Sequence, residues 1–541
     1  MAIVYIDPDV AGPGTGTVGD PFKSWASVTW TAGNEYRQKC GTTFVGMVTI
    51  AADNVTVGSY STGAKPIIDA NSANNHAVYG INRSDVVVDG IDARNGTNTF
   101  GNIYFSTATN VSVKNCSVPS GANAGISLYQ PTNCTVEGNT VSVTKQGILL
   151  ANTGATRSGN VVRLNTVTGD SLFAGDNHGI EVQVYEAATK IGVLIEFNVC
   201  MANKTGIRTF GLTSESRIRF NDCSENSTGI LCNSFDKTNQ ISGVRVHNNI
   251  CNQNREFGIH VTIAGQIVVE HNTCNENGFN GGNFWGRGIE LSGSTDPERV
   301  VGVIVRYNTC NKNKNYIAND TEGVGIGLDD ASRECVVYGN ICKDNEGNGL
   351  QLYGSNNLGG AHVVYSNLLI NNATNSGGNF VANLHAGDET DEAQVFNNTC
   401  VGGIDGICVR DGSAGVVLKN NIISGYTGIG IKILDGISVT EAYNIVYGSG
   451  AAMSGQVLDA TSSTVDPQLS SAYRPESGSP ALWSGQHVGY YRDALKVQRP
   501  NPPSIGAYDV PKLTTWVGYE FLLEDDSGGL VLEDDSKLLL E

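Results

Sequence analysis

The sequence predicts an all-β protein built as a parallel β-helix, because two short phrases recur along the chain. The first phrase is an Asn followed two residues later by a Cys or an aliphatic residue. Its clear copies begin at Asn198, Asn221, Asn249, Asn272, Asn308, Asn340, Asn367, Asn398, Asn421 and Asn444, with fainter copies at Asn115, Asn139 and Asn165. The second phrase is a Gly-Ile pair that opens an alternating segment, at Gly179, Gly206, Gly258, Gly288 and Gly325. Such a recurrence indicates stacked supersecondary units.

Each unit reads as one coil of three short strands and three turns. A β-branched segment such as Ile267–His271 runs into the Asn, and no segment shows a 3.6-residue period. Asn tolerates the left-handed backbone of a tight corner, and its amide can hydrogen-bond to the neighbouring copy. The Cys two residues later is expected to point into the core, where a thiol behaves as a small hydrophobe.

Motifs at both ends of the chain support a resemblance to a known family. Residues 5–23 and 58–69 are similar to an entry segment and a first coil, and residues 477–508 are similar to a closing segment. The chain resembles right-handed parallel β-helix proteins of the pectate-lyase-like class, including bacteriophage tailspike polysaccharide depolymerases. The resemblance implies about 12–14 coils with an N-terminal cap and a small C-terminal β tail. It leaves the reaction open, because the family contains lyases, hydrolases, epimerases and non-catalytic adhesins.

Four regions are predicted along the chain. Residues 1–75 form an N-terminal cap and entry coils, with a short helix near Trp25 covering the open end of the core. Residues 76–448 form the parallel β-helix, and residues 449–510 close it. Residues 511–541 form an acidic tail in which Leu-Glu-Asp-Asp-Ser occurs twice, at 523–527 and 532–536, and which resembles the tails of phage structural proteins.

The composition restricts the partners. A formal net charge of −19 argues against nucleic acid. It also disfavours a polyanionic substrate unless local Arg, Lys or bound cations intervene, so neutral sugars and metal-bridged acidic sugars both stay open. The 13 cysteines are predicted to be reduced and mostly buried, without zinc-site spacing. No stretch has the length of a membrane span, and residues 1–7 lack secretory-signal features. That start is typical of a virion protein released by lysis.

The Gly-Ile strands are predicted to present two rows of outward residues, since alternate residues face opposite sides of a strand. The first row is Ser127, Leu149, Glu181, Arg208, Leu231, His260, Glu290, Gly327, Gln351, Asn383 and Cys408. The second row is Tyr129, Ala151, Gln183, Phe210, Asn233, Thr262, Ser292, Asp329, Tyr353, His385 and Arg410.

Long insertions precede four of these strands, at 169–178, 278–287, 312–323 and 373–380. They are expected to project from one corner and to wall a groove along the outward face. Trp285 and Tyr316 on these insertions are predicted to stack on sugar rings. The substrate-binding set is completed by Arg208, Arg287, Tyr353 and His385.

Within this face, Glu290 and Asp329 are the predicted catalytic pair. They lie on adjacent coils and two strand positions apart, so their Cα atoms should be about 8 Å apart. That spacing allows either the closer carboxylates of retaining glycosidases or the wider pair of inverting ones. His260, one coil earlier, is predicted to tune Glu290, and Glu181 completes the catalytic set. No metal site and no cofactor are predicted.

The second hypothesis for the reaction at this face is a lyase. It would need Arg, Lys or Ca²⁺ to neutralise a uronate carboxylate, together with a base that removes the C5 proton. Arg208, Arg287 and Arg410 could serve the first need, and Asp176 and His178 beside Glu181 could supply a base or oxygen ligands.

These observations lead to three functional hypotheses. The first is a phage receptor-binding tailspike that binds, and cleaves as a glycosidase rather than a lyase, a bacterial surface polysaccharide. The second is a non-catalytic virion adhesin or decoration protein, and the third is a secreted bacterial enzyme. A homotrimer, other virion proteins as partners, and no membrane insertion are expected from the resemblance.

Overall fold

The computed structural model describes the chain except for residues 74–75, 98–99, 120–123, 143–144, 170–176, 186–190, 211–215, 235–240, 279–285, 294–299, 315–322, 355–358, 375–381, 491, 510–521, 525–529 and 533–541.

The front sheet contains the strands that the Gly-Ile phrase predicts. In the described ranges it has sixteen parallel strands, each paired with the equivalent strand of the next coil. They are Val48–Thr49, Val78–Ile81, Ile103–Ser106, Ala124–Tyr129, Gln146–Asn152, His178–Val184, Thr205–Phe210, Thr228–Asn233, Phe257–Thr262, Arg287–Gly293, Ile326–Asp330, Leu350–Tyr353, Ala382–Gly387, Asp405–Val409, Ile429–Ile433 and Ala451–Ser454.

The back sheet contains the β-branched segments that run into the recurring Asn. Its seventeen described strands are also parallel. They are Ile3–Ile6, Glu35–Lys39, Val55–Tyr60, Val86–Asp89, Ser112–Lys114, Thr135–Glu137, Arg157–Arg163, Ile191–Glu196, Arg217–Arg219, Arg245–His247, Val268–Glu270, Ile304–Arg306, Val336–Tyr338, Val363–Tyr365, Gln394–Phe396, Val417–Lys419 and Thr440–Ala442.

The third sheet follows the recurring Asn and consists of two runs. The first run is Thr43–Val45, Ile67–Asp69, Asp92–Arg94, Ser117–Val118, Thr140–Ser142, Thr166–Thr168 and Val199–Met201. The second run is Thr309–Asn311, Ile341–Lys343, Leu368–Ile370, Thr399–Val401, Ile422–Ser424 and Ile445–Tyr447. Single bridges through Asp222, Ile250 and Thr273 join the two runs. The short strands Val300–Val301 and Ser332–Arg333 form a separate parallel pair, and Leu522–Glu524 pairs antiparallel with Leu530–Leu532 in the tail.

The three sheets enclose one continuous apolar core, and the fold is a right-handed parallel β-helix, as the sequence predicts. The inward Ile of each Gly-Ile phrase is buried: Ile259 pairs with Ile289 and Ile289 with Ile326, and all three have no exposed surface. Each coil thus buries its inner face only against its neighbours, which is how a solenoid extends without dividing into domains. No helix in the described part of the chain is long and apolar enough to span a membrane.

The recurring Asn residues form a ladder along one corner, as predicted. The ladder runs through Asn139, Asn165, Asn198, Asn221, Asn249, Asn272, Asn308, Asn340, Asn367, Asn398, Asn421 and Asn444. Each side-chain Nδ2 donates to Oδ1 of the next Asn, as from Asn272 to Asn308 at 3.0 Å, and each backbone N–H donates to the same oxygen. The amides are therefore buried and bonded from coil to coil, which avoids the cost of unsatisfied polar groups.

Two details of the Asn prediction are wrong. The left-handed corner residue is the one before the ladder Asn, as His271 (φ 54°) precedes Asn272, so Asn at the ladder is required for its amide and not for its backbone. Asn115 itself occupies the left-handed position with φ 50°. Cys116 then takes the ladder position, and its N–H donates to Asn139 Oδ1 at 2.8 Å.

A second Asn ladder, which was not predicted, lies at the next corner. It runs through Asn203, Asn226, Asn254, Asn277, Asn313, Asn345, Asn372 and Asn383, all without exposed surface. Asn277 Nδ2 donates to Asn313 Oδ1 at 3.0 Å, for example. The signal was an Asn five residues after the first-ladder Asn in successive coils, as Asn277 follows Asn272.

The recurring cysteines form a buried column between the two ladders, as predicted. Cys200, Cys223, Cys251, Cys274, Cys310, Cys342 and Cys400 have no exposed surface, and all 13 cysteines are free thiols. Burial raises the pKa of Cys400 to about 12, so this thiol stays protonated and packs as an apolar group.

The N-terminal end of the core is covered, and a later segment packs on the outer side of the third sheet. At the N-terminal end a short 3₁₀ helix, Trp25–Ser27, places Trp25 over the core, and its indole donates to Gln38 Oε1 at 2.7 Å. Near the C-terminus the closing segment, residues 467–509, packs against the third sheet. Arg499 fixes it there, donating to Asp509 Oδ2 at 2.7 Å and to Ser366 Oγ at 2.8 Å.

Candidate functional site

The front sheet places the predicted catalytic pair in the predicted register. Glu290 is opposite Gly327, and Ser292 is opposite Asp329, so Glu290 and Asp329 occupy adjacent strands two positions apart. Arg287 lies between them. Its Nη1 donates to Glu290 Oε2 at 2.6 Å and also contacts Asp329 Oδ2.

The three charged groups differ in their access to solvent. Only 4% of each of the Arg287 and Glu290 side chains is exposed, against 14% of the Asp329 side chain. Asp329 is therefore the carboxylate of the pair that a bound molecule can reach most directly. Gly327 makes room for the cluster, because a Cβ there would collide with Glu290 Oε2 and lie 3.0 Å from Arg287 Nη1.

A chain of hydrogen bonds continues from Asp329 towards the C-terminal coils. Gln351 Nε2 donates to Asp329 Oδ1 at 3.3 Å, and Asn348 Nδ2 donates to Gln351 Oε1 at 2.8 Å. Asn348 Nδ2 also lies 3.3 Å from His385 Nδ1. These residues connect Asp329 to His385, whose strand lies two strand spacings away, or about 10 Å.

Arg410 and Tyr353 end this network. Arg410 donates from Nε to His385 Nε2 at 3.1 Å and from Nη2 to the Tyr353 hydroxyl at 2.7 Å. His385 has no exposed surface and contacts Arg410, and its predicted contact with substrate stays a prediction. Burial, reinforced by Arg410 and Lys432, lowers the pKa of His385 to about 3. The imidazole is therefore neutral at pH 7.

The predicted row of His385 is wrong. His385 is opposite Gln351 in the first outward row, and Gly387 is opposite Tyr353 in the second. This coil has no Gly-Ile pair, and Leu384 stands at the inward position that Ile occupies elsewhere. Asn383, predicted as an outward residue, instead ends the second Asn ladder, accepting from Asn372 Nδ2 at 3.0 Å.

His260 is opposite Glu290 on the preceding strand, as predicted. Its Nε2 is 2.9 Å from Ser292 Oγ, and its ring packs against Phe257 with a centroid distance of 4.6 Å. Burial, together with the charge of Arg287, lowers the pKa of His260 to about 4. A neutral imidazole is thus held beside the carboxylate pair, and its role in tuning Glu290 stays a prediction.

Glu181 and Arg208 belong to a separate cluster. They lie on neighbouring front-sheet strands. Glu181 is four strands from Glu290, roughly 19 Å along the sheet, and Arg208 is three strands away, roughly 14 Å. Glu181 is fully buried and accepts from Gln146 Nε2 at 2.7 Å and from Arg208 Nη1 at 3.2 Å. Arg208 Nη1 also lies 2.8 Å from His178 Nε2. Neither Glu181 nor Arg208 can therefore act on the same bond as Glu290.

Other predicted contributors lie outside the described residues. These are Trp285, Tyr316 and Asp176, together with most of the four long insertions. Their stacking, groove-wall and base roles stay predictions. Conversely, Asn348 joins the site although it was not among the predicted residues. Its signal was weak, because it stands just before the strand Leu350–Tyr353 and does not occupy an outward row.

Comparison with known proteins agrees with this fold. A family model described as a right handed beta helix region matches residues 51–183. No curated protein sequence gives a match. The chain therefore shows the architecture of right-handed parallel β-helix proteins, and the matched region covers its first coils.

Several solved structures are similar at low identity. Tailspike protein 3 of bacteriophage CBA120 is 11% identical over 99% of this chain and 70% of its own, with a TM-score of 0.40. DFA-IIIase from Arthrobacter chlorophenolicus A6 is 12% identical over 78% of this chain and 94% of its own, with a TM-score of 0.37. The GH136 lacto-N-biosidase from Eubacterium ramulus is 13% identical over 77% of this chain, with a TM-score of 0.24, and this chain spans 65% of that enzyme.

Proposed function

We propose that this protein binds a polysaccharide along the front sheet and hydrolyses it at Glu290 and Asp329. The observation that carries the proposal is the pairing of two carboxylates through one guanidinium nitrogen on the face of a sixteen-stranded parallel sheet in the described ranges. A parallel sheet presents equivalent positions at about 4.8 Å intervals, which suits a linear polymer lying along the solenoid. Glycosidic bonds are cleaved by two carboxyl groups of this kind.

The spacing of the pair supports the retaining type of hydrolysis. Two carboxylate oxygens that both contact one guanidinium nitrogen lie no more than about 6 Å apart. Retaining enzymes place their carboxyl groups about 5–5.5 Å apart, whereas inverting enzymes leave room for a water at about 6.5–9.5 Å. We assign Asp329, the more exposed carboxylate, as the nucleophile that forms the glycosyl ester as the glycosidic bond breaks. Glu290, in its protonated form, gives its proton to the leaving oxygen, and as the carboxylate it then takes a proton from the water that cleaves the ester. Arg287 is a positioning residue, and the reaction needs no cofactor.

A second candidate function is polysaccharide binding without cleavage. Burial of Arg287 and Glu290 favours it, because a buried ion pair that neutralises both carboxylates is also a common structural element. Under this reading the network from Asp329 to Tyr353 fixes the shape of a binding face and performs no chemistry.

The products of the reaction distinguish these possibilities. Purified protein is incubated with bacterial capsular and lipopolysaccharide preparations, and both new reducing ends and unsaturated uronates are measured. The proposal expects new reducing ends without unsaturated products. Unsaturated uronates would indicate a lyase, and firm binding without any product would indicate the non-catalytic protein.

For the biological setting we propose a virion receptor-binding protein acting on a host surface polysaccharide. The support is the acidic tail, in which strands from its two Leu-rich repeats pair antiparallel. A homotrimer is proposed with it, from the family resemblance. Detection of the protein in purified phage particles, and light scattering at micromolar concentration, test these two points. A secreted bacterial enzyme is the alternative setting.

A further inference from the structure

We infer that the polysaccharide is neutral and carries no uronic acid at the sugars held by the front sheet. This inference rests on the proposed function and concerns the same face. The supporting observation is that each cationic side chain on that face is already paired with a carboxylate of the protein.

Four cationic side chains lie on the described front-sheet strands or directly after them. Arg208 pairs with Glu181 at 3.2 Å, and Lys432 pairs with Asp405 at 2.9 Å. Arg287 is shared between Glu290 and Asp329. Arg410 contacts Asp411, with Asp388 at 3.8 Å. Each of these cations therefore already has a carboxylate partner in the protein, and the partners of Arg208, Lys432 and Arg287 are largely buried.

The two histidines near Glu290 and Asp329 do not supply additional positive charge. His260 and His385 are both neutral at pH 7, because burial and neighbouring cations lower their pKa values to about 4 and about 3. Neither ring can therefore provide a positive charge to a sugar carboxylate at neutral pH.

The remaining charge of the face is negative. The described front-sheet strands hold five carboxylates, which are Glu181, Glu290, Asp329, Asp330 and Asp405. They hold three cations, which are Arg208, Arg287 and Lys432. Five minus three leaves an excess of two negative charges, within a chain of net charge −19.

A uronate bound on this face would meet repulsion without compensation. To recruit Arg287, it would have to displace Glu290 or Asp329 and leave a largely buried carboxylate without its cation, which is unfavourable. A neutral sugar offers hydroxyl groups that hydrogen-bond to Asp329, Gln351 and Tyr353 without this cost. The face is therefore matched to hydroxyl-rich, uncharged sugars.

The test uses pairs of polymers that differ only in charge. The probes are uronic acid-containing bacterial capsular polysaccharides, the same polymers after chemical reduction of their carboxyl groups, and neutral polysaccharides. Binding of the full-length protein is measured by affinity electrophoresis or calorimetry at 20 mM and 500 mM NaCl. Each pair shares backbone and linkage, so a difference in affinity reports the carboxylates alone.

The inference expects binding of at least one neutral or carboxyl-reduced polymer, with affinity for its acidic parent lower by about tenfold or more. High salt should narrow that difference, because it screens the repulsion. Tighter binding of the acidic parent, weakened by salt, would overturn the inference and leave the proposed function standing. Binding of no polymer in either form would overturn the proposed function itself, and the inference with it.

Discussion

Glu290 and Asp329 contact the same nitrogen, Nη1 of Arg287, although they lie on adjacent coils and are 39 positions apart in the sequence. This arrangement joins two strands of the front sheet through a charged contact above the backbone ladder. It fixes the separation of the two carboxylates, and it makes the pair dependent on one buried cation. Arg287 therefore contributes both to the stability of the stacked coils and to the proposed chemistry of the front sheet.

Replacing Arg287 with Ala should destabilise the protein by about 3–5 kcal/mol, because it leaves buried carboxylates without their cation. Denaturant unfolding measures the change. The control is Arg163→Ala, which removes an exposed pair with Glu137 (side chains 43% and 29% exposed) and should cost less than about 1 kcal/mol. Equal losses in the two variants would contradict the buried ion-pair assignment.

The first Asn ladder predicts a position-specific loss of stability. Asn272→Ala removes the acceptor for Asn249 and the donor to Asn308 and Val246 O, so it should cost about 1–3 kcal/mol. Asn115→Gly keeps the left-handed backbone at a position outside the ladder and should change stability by less than about 0.5 kcal/mol. Thermal melts compare them, and similar shifts for both would mean that the ladder register is wrong.

Three histidines with lowered pKa values, the buried His362 and His385 and the partly buried His260, predict that stability falls in mild acid. Their folded pKa values, about 4 for His260 and about 3 for His385 and His362, lie below the usual value of 6.5. The unfolded chain therefore binds more protons between pH 6.5 and those values, so stability is complete above pH 6.5 and declines as the pH falls. Each group contributes up to roughly 2 kcal/mol of loss by pH 5.

Melting temperatures at pH 7.5 and pH 5 check this for the wild type and for His385→Gln. The variant should lose less stability than the wild type on acidification, because it lacks one of the protonating groups. A variant whose pH dependence matches that of the wild type would show that His385 is not held neutral by burial.

The closing segment should depend on Arg499. Arg499 is 7% exposed and is bonded to Asp509, to Ser366 and to the carbonyls of Gly506 and Ala507. Arg499→Ala should therefore release residues 467–509 from the third sheet, and limited proteolysis should cut this segment while the coils stay intact. Arg474→Ala, at a cation–π contact with Tyr508, is the milder control. Unchanged protection in Arg499→Ala would refute this role.

The sequence predicts correctly which residues of a coil face outward where the coil contains a Gly-Ile pair. Ile289 and Ile326 both stand at the inward position, and counting from them placed Glu290 and Asp329 correctly. Counting residues gave the wrong row for His385, because its coil has no Gly-Ile pair and Leu384 takes the inward position. Periodicity thus fixes register only where each coil repeats the same marker.

The ion pair at the centre of the site was beyond sequence reasoning for a different reason. Arg287 and Glu290 are three residues apart, so strict alternation would direct them to opposite faces of the strand. Their contact depends on side-chain reach and on the space left by Gly327 in the next coil. Such contacts between coils follow from three-dimensional packing, which a repeat pattern does not encode.

The most direct test of the central claim is the rate of reducing-end release by Asp329→Asn on a polysaccharide that the wild type binds. Removal of the nucleophile should lower the rate by at least about a thousandfold while leaving the affinity within a few fold. Glu334→Gln, an exposed carboxylate at a corner of the solenoid, should cleave at the wild-type rate. Equal rates for the wild type and Asp329→Asn, with equal binding, would contradict the account.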